Sequence, residues 1–369
     1  DALRELAVDT ISTPLVAAWL NAAPLLGWTF GGIILGWAGD RIGRARTFAI
    51  SLGLLGVTML ATAWATGWTT VVFYRLMTGA GIGGTMVLSA ILVAETWPER
   101  SRAIALATLG IAFPVGIVSS GLLTMAVDGW RSAFLFGGLP LGLALLSFAA
   151  VRDPRTWTPA AKPQPFRQLL GAETRRPFFI GVTVYGATLI GLWAAFSWLP
   201  TWAQSILPEG ESGQRERGLL TMVLGLSGML GTFVSGFFAN AIGRRKTILV
   251  SFAGCFVATF VLFQTNAAFS TIVFAETAAL GLFFGLSQGV LLVYIPELFP
   301  TRVRSTATGL CFNVGRLITA VSVFFVGILV PFLGGYGNAV FAFAFMYVIA
   351  FVVAIFGPET KGKTLLTEE

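Results

Sequence analysis

A series of apolar stretches, each long enough to cross a lipid bilayer, dominates the sequence, with short polar segments between them. The hydrocarbon core of a bilayer is about 30 Å thick, and about 20 apolar residues in a helix span it. The stretches are rich in Leu, Ala, Gly and Phe without period-two alternation, which favours helices over barrel strands. The predicted spans are 12–37, 46–66, 69–95, 103–127, 131–151, 177–205, 218–240, 247–265, 269–296, 305–333 and 337–357.

The composition agrees with a chain that lies in lipid. Hydrophobic residues make up 56% of the sequence and charged residues 11%, whereas soluble domains carry about 25% charged residues. There is no histidine, and Cys255 and Cys311 both lie within apolar stretches, so we expect no disulfide and no metal site. The sequence therefore predicts an all-α polytopic membrane protein without a cofactor, and it offers no catalytic constellation for an enzyme.

The basic residues lie mainly on one side of the predicted membrane. Because Lys and Arg concentrate in cytoplasmic loops, we expect a multi-pass protein of the cell membrane whose basic loops and C-terminus are cytoplasmic. This distribution also explains the net charge of +7 without nucleic-acid binding. The basic residues assigned to that side are Arg41, Arg44, Arg46, Arg100, Arg102, Arg152, Arg155, Lys162, Arg167, Arg175, Arg176, Arg244, Arg245, Lys246, Arg302, Arg304, Lys361 and Lys363.

The chain contains two related halves. A pattern of glycines, a polar residue and two basic residues at 36–46 recurs at 236–246, and a second pattern at 79–102 recurs at 281–304. Two matched patterns at nearly one offset indicate an internal repeat, which is typical of transporters.

The repeat predicts the domain organisation. We expect an N-terminal helical bundle at 1–151, a cytoplasmic linker at 152–176 and a C-terminal bundle at 177–369. Residues 166–174 of the linker have the composition of a short amphipathic helix. The span at 177–205 has no counterpart in the first half, so we expect that the matching first helix is missing from this sequence.

Several polar motifs resemble those of one transporter superfamily. The segment Gly36-Trp37-Ala38-Gly39-Asp40-Arg41-Ile42-Gly43-Arg44 resembles the signature loop between the second and third helices of major facilitator transporters. Segments 75–84, 95–102, 296–304 and 358–362 resemble motifs of its sugar-porter and metabolite:proton symporter branches. The resemblance covers essentially the whole chain. It implies the major facilitator fold, with two pseudo-symmetric six-helix bundles around a cavity that opens by alternating access.

These loops are expected to act as a conformational latch, since in the family the pairing of the acid with arginine holds the outward-facing state. Glycine permits tight turns and close helix contacts, and Asp40 can cap a helix N-terminus and pair with arginine. Asn240 replaces this acid in the second half, which predicts a weaker second latch. The expected latch residues are Gly36, Asp40, Arg41, Gly43, Arg44, Glu95, Arg102, Asn240, Arg244, Glu297 and Arg304.

Three ionisable residues, Arg75, Glu276 and Arg316, fall within the apolar stretches. A midplane charge costs about 2.5–3.5 kcal/mol on insertion scales, so each needs a partner, a water-filled cavity or a functional role. Arg316 and Asn313 share a helical face and are suited to binding a carboxylate; a structural ion pair and a helix-packing or snorkelling role of Arg316 are the alternatives. Glu276 is a proton-coupling candidate, and a static pair with Arg75 is its alternative.

The predicted function is proton-coupled symport of a small organic anion by a monomer in the bilayer. A sugar or polyol symporter is the alternative, but the span at 177–205 lacks the glutamine pair of sugar porters. A drug or metabolite exporter is less favoured because Phe113 interrupts the antiporter pattern, and a membrane enzyme or a non-transporting receptor has least support. The predicted substrate-binding residues are Arg316, Asn313, Arg75, Trp193, Phe196, Gln288 and Tyr185.

Overall fold

The computed structural model describes residues 13–153, 171–208, 210, 212–300 and 304–361. This part of the chain is helical apart from turns and short connections, and it holds 11 spans long and apolar enough to cross a membrane, which confirms the predicted fold class. Its helices are α1 (Thr13–Ile42), α2 (Arg44–Ala63), α3 (Trp68–Thr96), α4 (Glu99–Ala126), α5 (Trp130–Phe136), α6 (Leu139–Ala150), α7 (Ala172–Ser205), α8 (Gln214–Ile242), α9 (Arg244–Gln264), α10 (Ile272–Glu297), α11 (Arg304–Leu333) and α12 (Tyr336–Ile355).

Two helix boundaries differ from the sequence prediction. Helix α1 continues through most of the motif that was read as a loop and ends at Ile42, because the chain turns only at Gly43, where φ is 108°. The span predicted at 131–151 consists of two helices, α5 and α6. Pro140, in the first turn of α6, has no N–H to donate to the carbonyl of Phe136, where α5 ends. The predicted linker helix at 166–174 falls largely outside the described residues.

The chain divides into two compact units, which are residues 1–113 with 126–163, and residues 114–125 with 164–369. In the first unit, α3 packs between α1 and α2, and α2 packs on α5 and α6. Contact between α1 and α3 is close enough to require glycine. A Cβ atom at Gly83 would overlap with the carbonyl oxygen of Trp28, and one at Gly79 would overlap with that of Pro24.

The second unit repeats this helix contact. Helix α10 packs on α8 and α9, while α7 packs on α11 and α12. Gly285 is the repeat equivalent of Gly83, and a Cβ atom there would overlap with the carbonyl oxygen of Gly228 on α8. The interior of this unit is filled by large side chains that are fully buried, including Trp198, Tyr294 and Tyr347. Close-packed helices of this kind hold the polar residues of α7 and α11 in fixed positions.

Candidate functional site

The turn after α1 brings together part of the first predicted latch. Arg44 begins α2, and its guanidinium lies 3.4 Å from the carboxylate of Asp40. The same side chain forms an ion pair with Glu95 in the last turn of α3. Arg41, which was also assigned to the latch, places its guanidinium 4.0 Å from the ring centroid of Trp37. Arg44 therefore links the ends of α1 and α3 within the first unit.

The turn after α8 has the same arrangement in the second unit. Arg244 lies 3.4 Å from Glu297 at the end of α10 and donates a hydrogen bond of 3.2 Å to the side-chain oxygen of Asn240. The amide of Asn240 thus occupies the place of the Asp40 carboxylate and keeps the contact. Because hydrogen bonds to neutral acceptors are weaker than those to charged ones, a weaker second latch stays the prediction. The side chains of Arg102 and Arg304 lie outside the described part of the structure.

The helix N-terminus after Gly43 is capped by a residue other than the predicted Asp40. Asp153, which follows α6, accepts the backbone N–H of Ala45 at 2.8 Å. Asp40 instead lies on the last turn of α1, where its carboxylate faces Arg44. The expectation that Asp40 caps a helix is therefore wrong.

In the second unit, the N-terminus of α9 is capped in the same way by Glu359, which follows α12. Its carboxylate accepts the backbone N–H groups of Arg244 at 2.9 Å and Arg245 at 3.2 Å. The sequence signal for both caps is an acidic residue just after the last helix of each half, at nearly the offset of the other repeats. Acids at helix N-termini satisfy N–H groups that lack partners within the helix.

The Glu359 cap predicts a pH-dependent stability. Burial raises the pKa of this carboxyl, but hydrogen bonds from the backbone of Lys361, Arg244, Arg245 and Thr360 outweigh burial, so the pKa is lowered overall. A lowered pKa in the folded state gives a stabilisation that is complete above the unfolded pKa of about 4.3. This stabilisation is lost as the pH falls through the folded value.

We expect Glu359→Gln to lower the free energy of unfolding at pH 7 by about 0.5–2 kcal/mol, as loss of a helix cap does. The variant should also lose stability less steeply than the wild type below about pH 4.3. Thermal unfolding of the purified protein between pH 7 and pH 3.5 measures both effects. Asp128→Asn, which changes an exposed carboxylate, is the control, and equal pH profiles for the two variants would contradict the assignment.

A second polar cluster lies in the middle of α11. Arg316 lies about 18 Å along the axis of α11 from its first residue, Arg304, because the helix rises 1.5 Å per residue. Its guanidinium is hydrogen-bonded to the hydroxyl of Tyr185 on α7. The ring of Tyr185 lies against Phe312, one turn before Arg316, with centroids 4.4 Å apart. A cation, a phenol and an aromatic ring thus meet within a membrane span.

Two glycines allow this contact between α7 and α11. A Cβ atom at Gly315 would lie 2.9 Å from the ring of Tyr185 and 3.2 Å from the Cα of Gly186. The helices therefore approach closely enough for the Tyr185 hydroxyl to reach the guanidinium of Arg316. A guanidinium fixed by a phenol presents its remaining N–H groups in a plane, which matches the geometry of a carboxylate.

The other predicted substrate residues of the second unit lie on α7, α10 and α11. Asn313 donates a hydrogen bond of 2.9 Å to the carbonyl of Gly309 on its own helix, which occupies one of its N–H groups. Gln288 has a buried side-chain nitrogen for which the described residues offer no hydrogen-bond partner. Trp193 and Phe196 are half-buried and pack edge to face, with centroids 5.3 Å apart.

The remaining intramembrane residues have contacts that the sequence did not indicate. Arg75 lies on α3 in the first unit, where its guanidinium is 5.1 Å from the ring centroid of Phe134. Glu276 accepts a hydrogen bond of 2.5 Å from the side chain of Asn266. It also lines an apolar groove between α9 and α10. The proposed roles of Arg75 in substrate binding and of Glu276 in proton coupling, and their pairing as the alternative, stay predictions.

Comparison with known proteins identifies the relatives of this sequence. A family model described as Major Facilitator Superfamily matches residues 2–322 and 214–369. The cis,cis-muconate transport protein of Acinetobacter baylyi is 27% identical over 333 residues, which cover 85% of this chain and 78% of the relative. The 3-(3-hydroxy-phenyl)propionate transporter of Escherichia coli is 28% identical over 304 residues, which cover 81% of this chain and 74% of the relative.

Solved structures share the fold. The crystal structure of a D-xylose–proton symporter superposes with a TM-score of 0.78, covering 98% of this chain and 92% of that protein at 20% sequence identity. At this identity the likeness establishes the helix arrangement, while the nature of the substrate has to be argued from the site.

Proposed function

Because this chain belongs to the Major Facilitator Superfamily and is a membrane transporter, we propose that it carries a small organic carboxylate together with protons. The observation that supports this cargo most directly is the hydrogen-bonded pair of Arg316 and Tyr185 within the span of α11. A cation at this depth costs about 2.5–3.5 kcal/mol on insertion scales. An anionic substrate would offset that cost each time it binds.

The surroundings of Arg316 suit an acid with an apolar body. The planar guanidinium can hold both oxygens of a carboxylate, and Tyr185 keeps it in one orientation. The ring of Phe312 offers apolar surface one turn before Arg316, and the rings of Trp193 and Phe196 lie two turns or more beyond Tyr185 on α7. Two relatives have the names of transporters for muconate and a hydroxyphenylpropionate. Both compounds are carboxylates with unsaturated or aromatic carbon skeletons, which supports the proposed class of cargo.

Proton coupling is the second part of the proposal. An anion entering a cell with a negative interior moves against the membrane potential, which costs about 2.3 kcal/mol per charge at 100 mV. Co-transport of at least one proton removes this cost. Glu276 is the candidate carrier within the described residues, and the latch pairs Arg44–Glu95 and Arg244–Glu297 would stabilise one state of the transport cycle.

Uptake by proteoliposomes tests cargo and coupling together. We expect 3-phenylpropionate and related carboxylates to accumulate when the outside is more acidic than the inside, and a protonophore to abolish the accumulation. The matched control for passive entry of the protonated acid is liposomes without the protein, and the primary amide of each acid under the same gradient tests the need for a negative charge. Accumulation that does not depend on the pH gradient would contradict proton coupling. Uptake of the amides at the rate of the acids would contradict the proposal that the cargo is an anion.

A sugar or polyol remains a second candidate because of Gln288. Its buried nitrogen without a partner among the described residues can donate to a hydroxyl group as well as to a carboxylate. Competition separates the two candidates. If xylose and related sugars inhibit uptake in an order set by their hydroxyl pattern while carboxylates do not inhibit, the sugar symporter is the correct assignment.

A further inference from the structure

An apolar groove runs along the outside of the second unit between α9 and α10. Its volume is about 510 Å³, and small side chains line most of its length. Gly254 forms part of its floor, because a Cβ atom there would overlap with the ring of Phe283 on the facing helix. Val257 and Ala253 at its edge are exposed, so the groove opens sideways from the unit. The lining residues are Val250, Ala253, Gly254, Val257, Ala258, Val261, Glu276, Ala279 and Phe283.

The groove has the length of one lipid tail. From Val250 to Val261, α9 rises about 16 Å at 1.5 Å per residue. This is close to half of the roughly 30 Å thickness of the hydrocarbon core, which is the depth of one leaflet. Both helices that form the groove are long and apolar enough to cross the membrane. An open apolar groove at this depth faces acyl chains.

One end of the groove carries a polar group at the depth of lipid headgroups. Glu276 is the fifth residue of α10, about 6 Å along the axis from the start of the helix. Asn266, just beyond the end of α9, donates a hydrogen bond of 2.5 Å to one of its carboxylate oxygens. Charged and amide side chains near helix ends lie at the membrane interface. The groove is therefore apolar along its length, with an acidic group at one end.

We propose that this groove binds a phospholipid with a primary-amine headgroup, whose tail fills the groove and whose ammonium group pairs with Glu276. Charge complementarity selects this occupant. A phosphatidylglycerol headgroup would bring only negative charge to the carboxylate, whereas the ammonium of phosphatidylethanolamine can pair with it. The quaternary amine of phosphatidylcholine cannot donate a hydrogen bond, so it should bind less well. This site is distinct from the Arg316 cluster, and the inference does not depend on which solute the protein carries.

Native mass spectrometry of the purified protein tests the headgroup preference. The protein is equilibrated with equal amounts of phosphatidylethanolamine and phosphatidylglycerol that have the same acyl chains. We expect the wild type to retain phosphatidylethanolamine about two- to fivefold more, the range given by a partly exposed ion pair. Glu276→Gln should reduce this ratio to about one. Glu216→Gln, at the start of α8 and outside the groove, should leave it unchanged.

A second variant tests whether the acyl chain of the lipid occupies the groove. Ala279→Phe places a ring in the groove and should remove the retained lipid whatever its headgroup, and size-exclusion chromatography shows whether this variant folds. Equal retention of the two lipids by the wild type would overturn the proposal, as would an unchanged ratio in Glu276→Gln. Full lipid retention by a folded Ala279→Phe would overturn it as well. Glu276 is also the candidate proton carrier, but this readout is taken without a pH gradient or transport, so it reports lipid pairing by the ionised carboxylate separately from proton coupling.

Discussion

Replacing Arg316 by alanine is expected to abolish carboxylate transport while leaving a folded protein. Truncating one partner of a buried, hydrogen-bonded charge pair costs about 2–5 kcal/mol, which corresponds to a loss of affinity of about 30-fold to several thousand-fold. In proteoliposome uptake, the apparent affinity for the carboxylate should fall by at least about 30-fold. Removing a cation from the span also lowers the cost of insertion, so we do not expect the variant to be less stable than the wild type.

Two further variants test whether the planar guanidinium of Arg316, rather than its charge alone, is needed for binding. Arg316→Lys keeps the charge but has no planar fork, so we expect intermediate affinity, because a point charge cannot bind both carboxylate oxygens in one plane. Arg215→Ala changes an exposed arginine in the first turn of α8 and serves as the control. If Arg316→Ala transported every tested carboxylate with wild-type affinity, the role assigned to this residue would be wrong.

The second large effect is expected where α1 meets α3. A Cβ atom at Gly83 would overlap with the carbonyl oxygen of Trp28, which is backbone and cannot move without shifting α1. Overpacking of this kind costs about 1–3 kcal/mol and sometimes more. We therefore expect Gly83→Ala to lower both the thermal stability and the yield of monodisperse protein strongly. Gly285→Ala should do the same in the second unit, since its Cβ would overlap with Gly228.

Gly110→Ala is a control for which we expect the opposite change in stability. Gly110 lies within α4, and a Cβ atom there would have no neighbour within 4 Å among the described residues. Alanine favours helix over glycine by up to about 1 kcal/mol, so this variant should be as stable as the wild type or more stable. Comparing the unfolding temperatures of the three variants checks the close packing directly. Equal temperatures for Gly83→Ala and Gly110→Ala would show that α1 and α3 do not approach as described.

The membrane spans could be predicted from the sequence because lipid imposes one simple requirement, a long apolar helix. Their ends were harder to predict because they depend on backbone geometry. The motif at 36–44 contains three glycines, and only the positive φ of Gly43 shows where α1 stops. The break at Gly137 and Gly138 was missed because hydropathy does not change there.

The charged residues of the site could be predicted from the sequence, but the contacts that they make could not. Arg316 and Glu276 stood out because ionised groups are rare in apolar spans. The pairing of Arg316 with Tyr185 and the ring contact between Tyr185 and Phe312 depend on how α7 crosses α11, and no local pattern encodes that crossing. Likewise, the cap by Asp153 joins residues more than a hundred positions apart. Only the repeat, which places Glu359 in the same role, could have suggested it.

Recognition of a negative charge on the cargo by Arg316 can be measured as a difference in binding affinity between two ligands. Isothermal titration calorimetry of the wild-type protein compares the carboxylate that proteoliposomes accumulate fastest with its primary amide, which has nearly the same shape and no charge. We expect the acid to bind at least about 30-fold more tightly, as loss of about 2 kcal/mol implies. Equal affinity for the acid and the amide would show that Arg316 does not recognise the charge of the cargo.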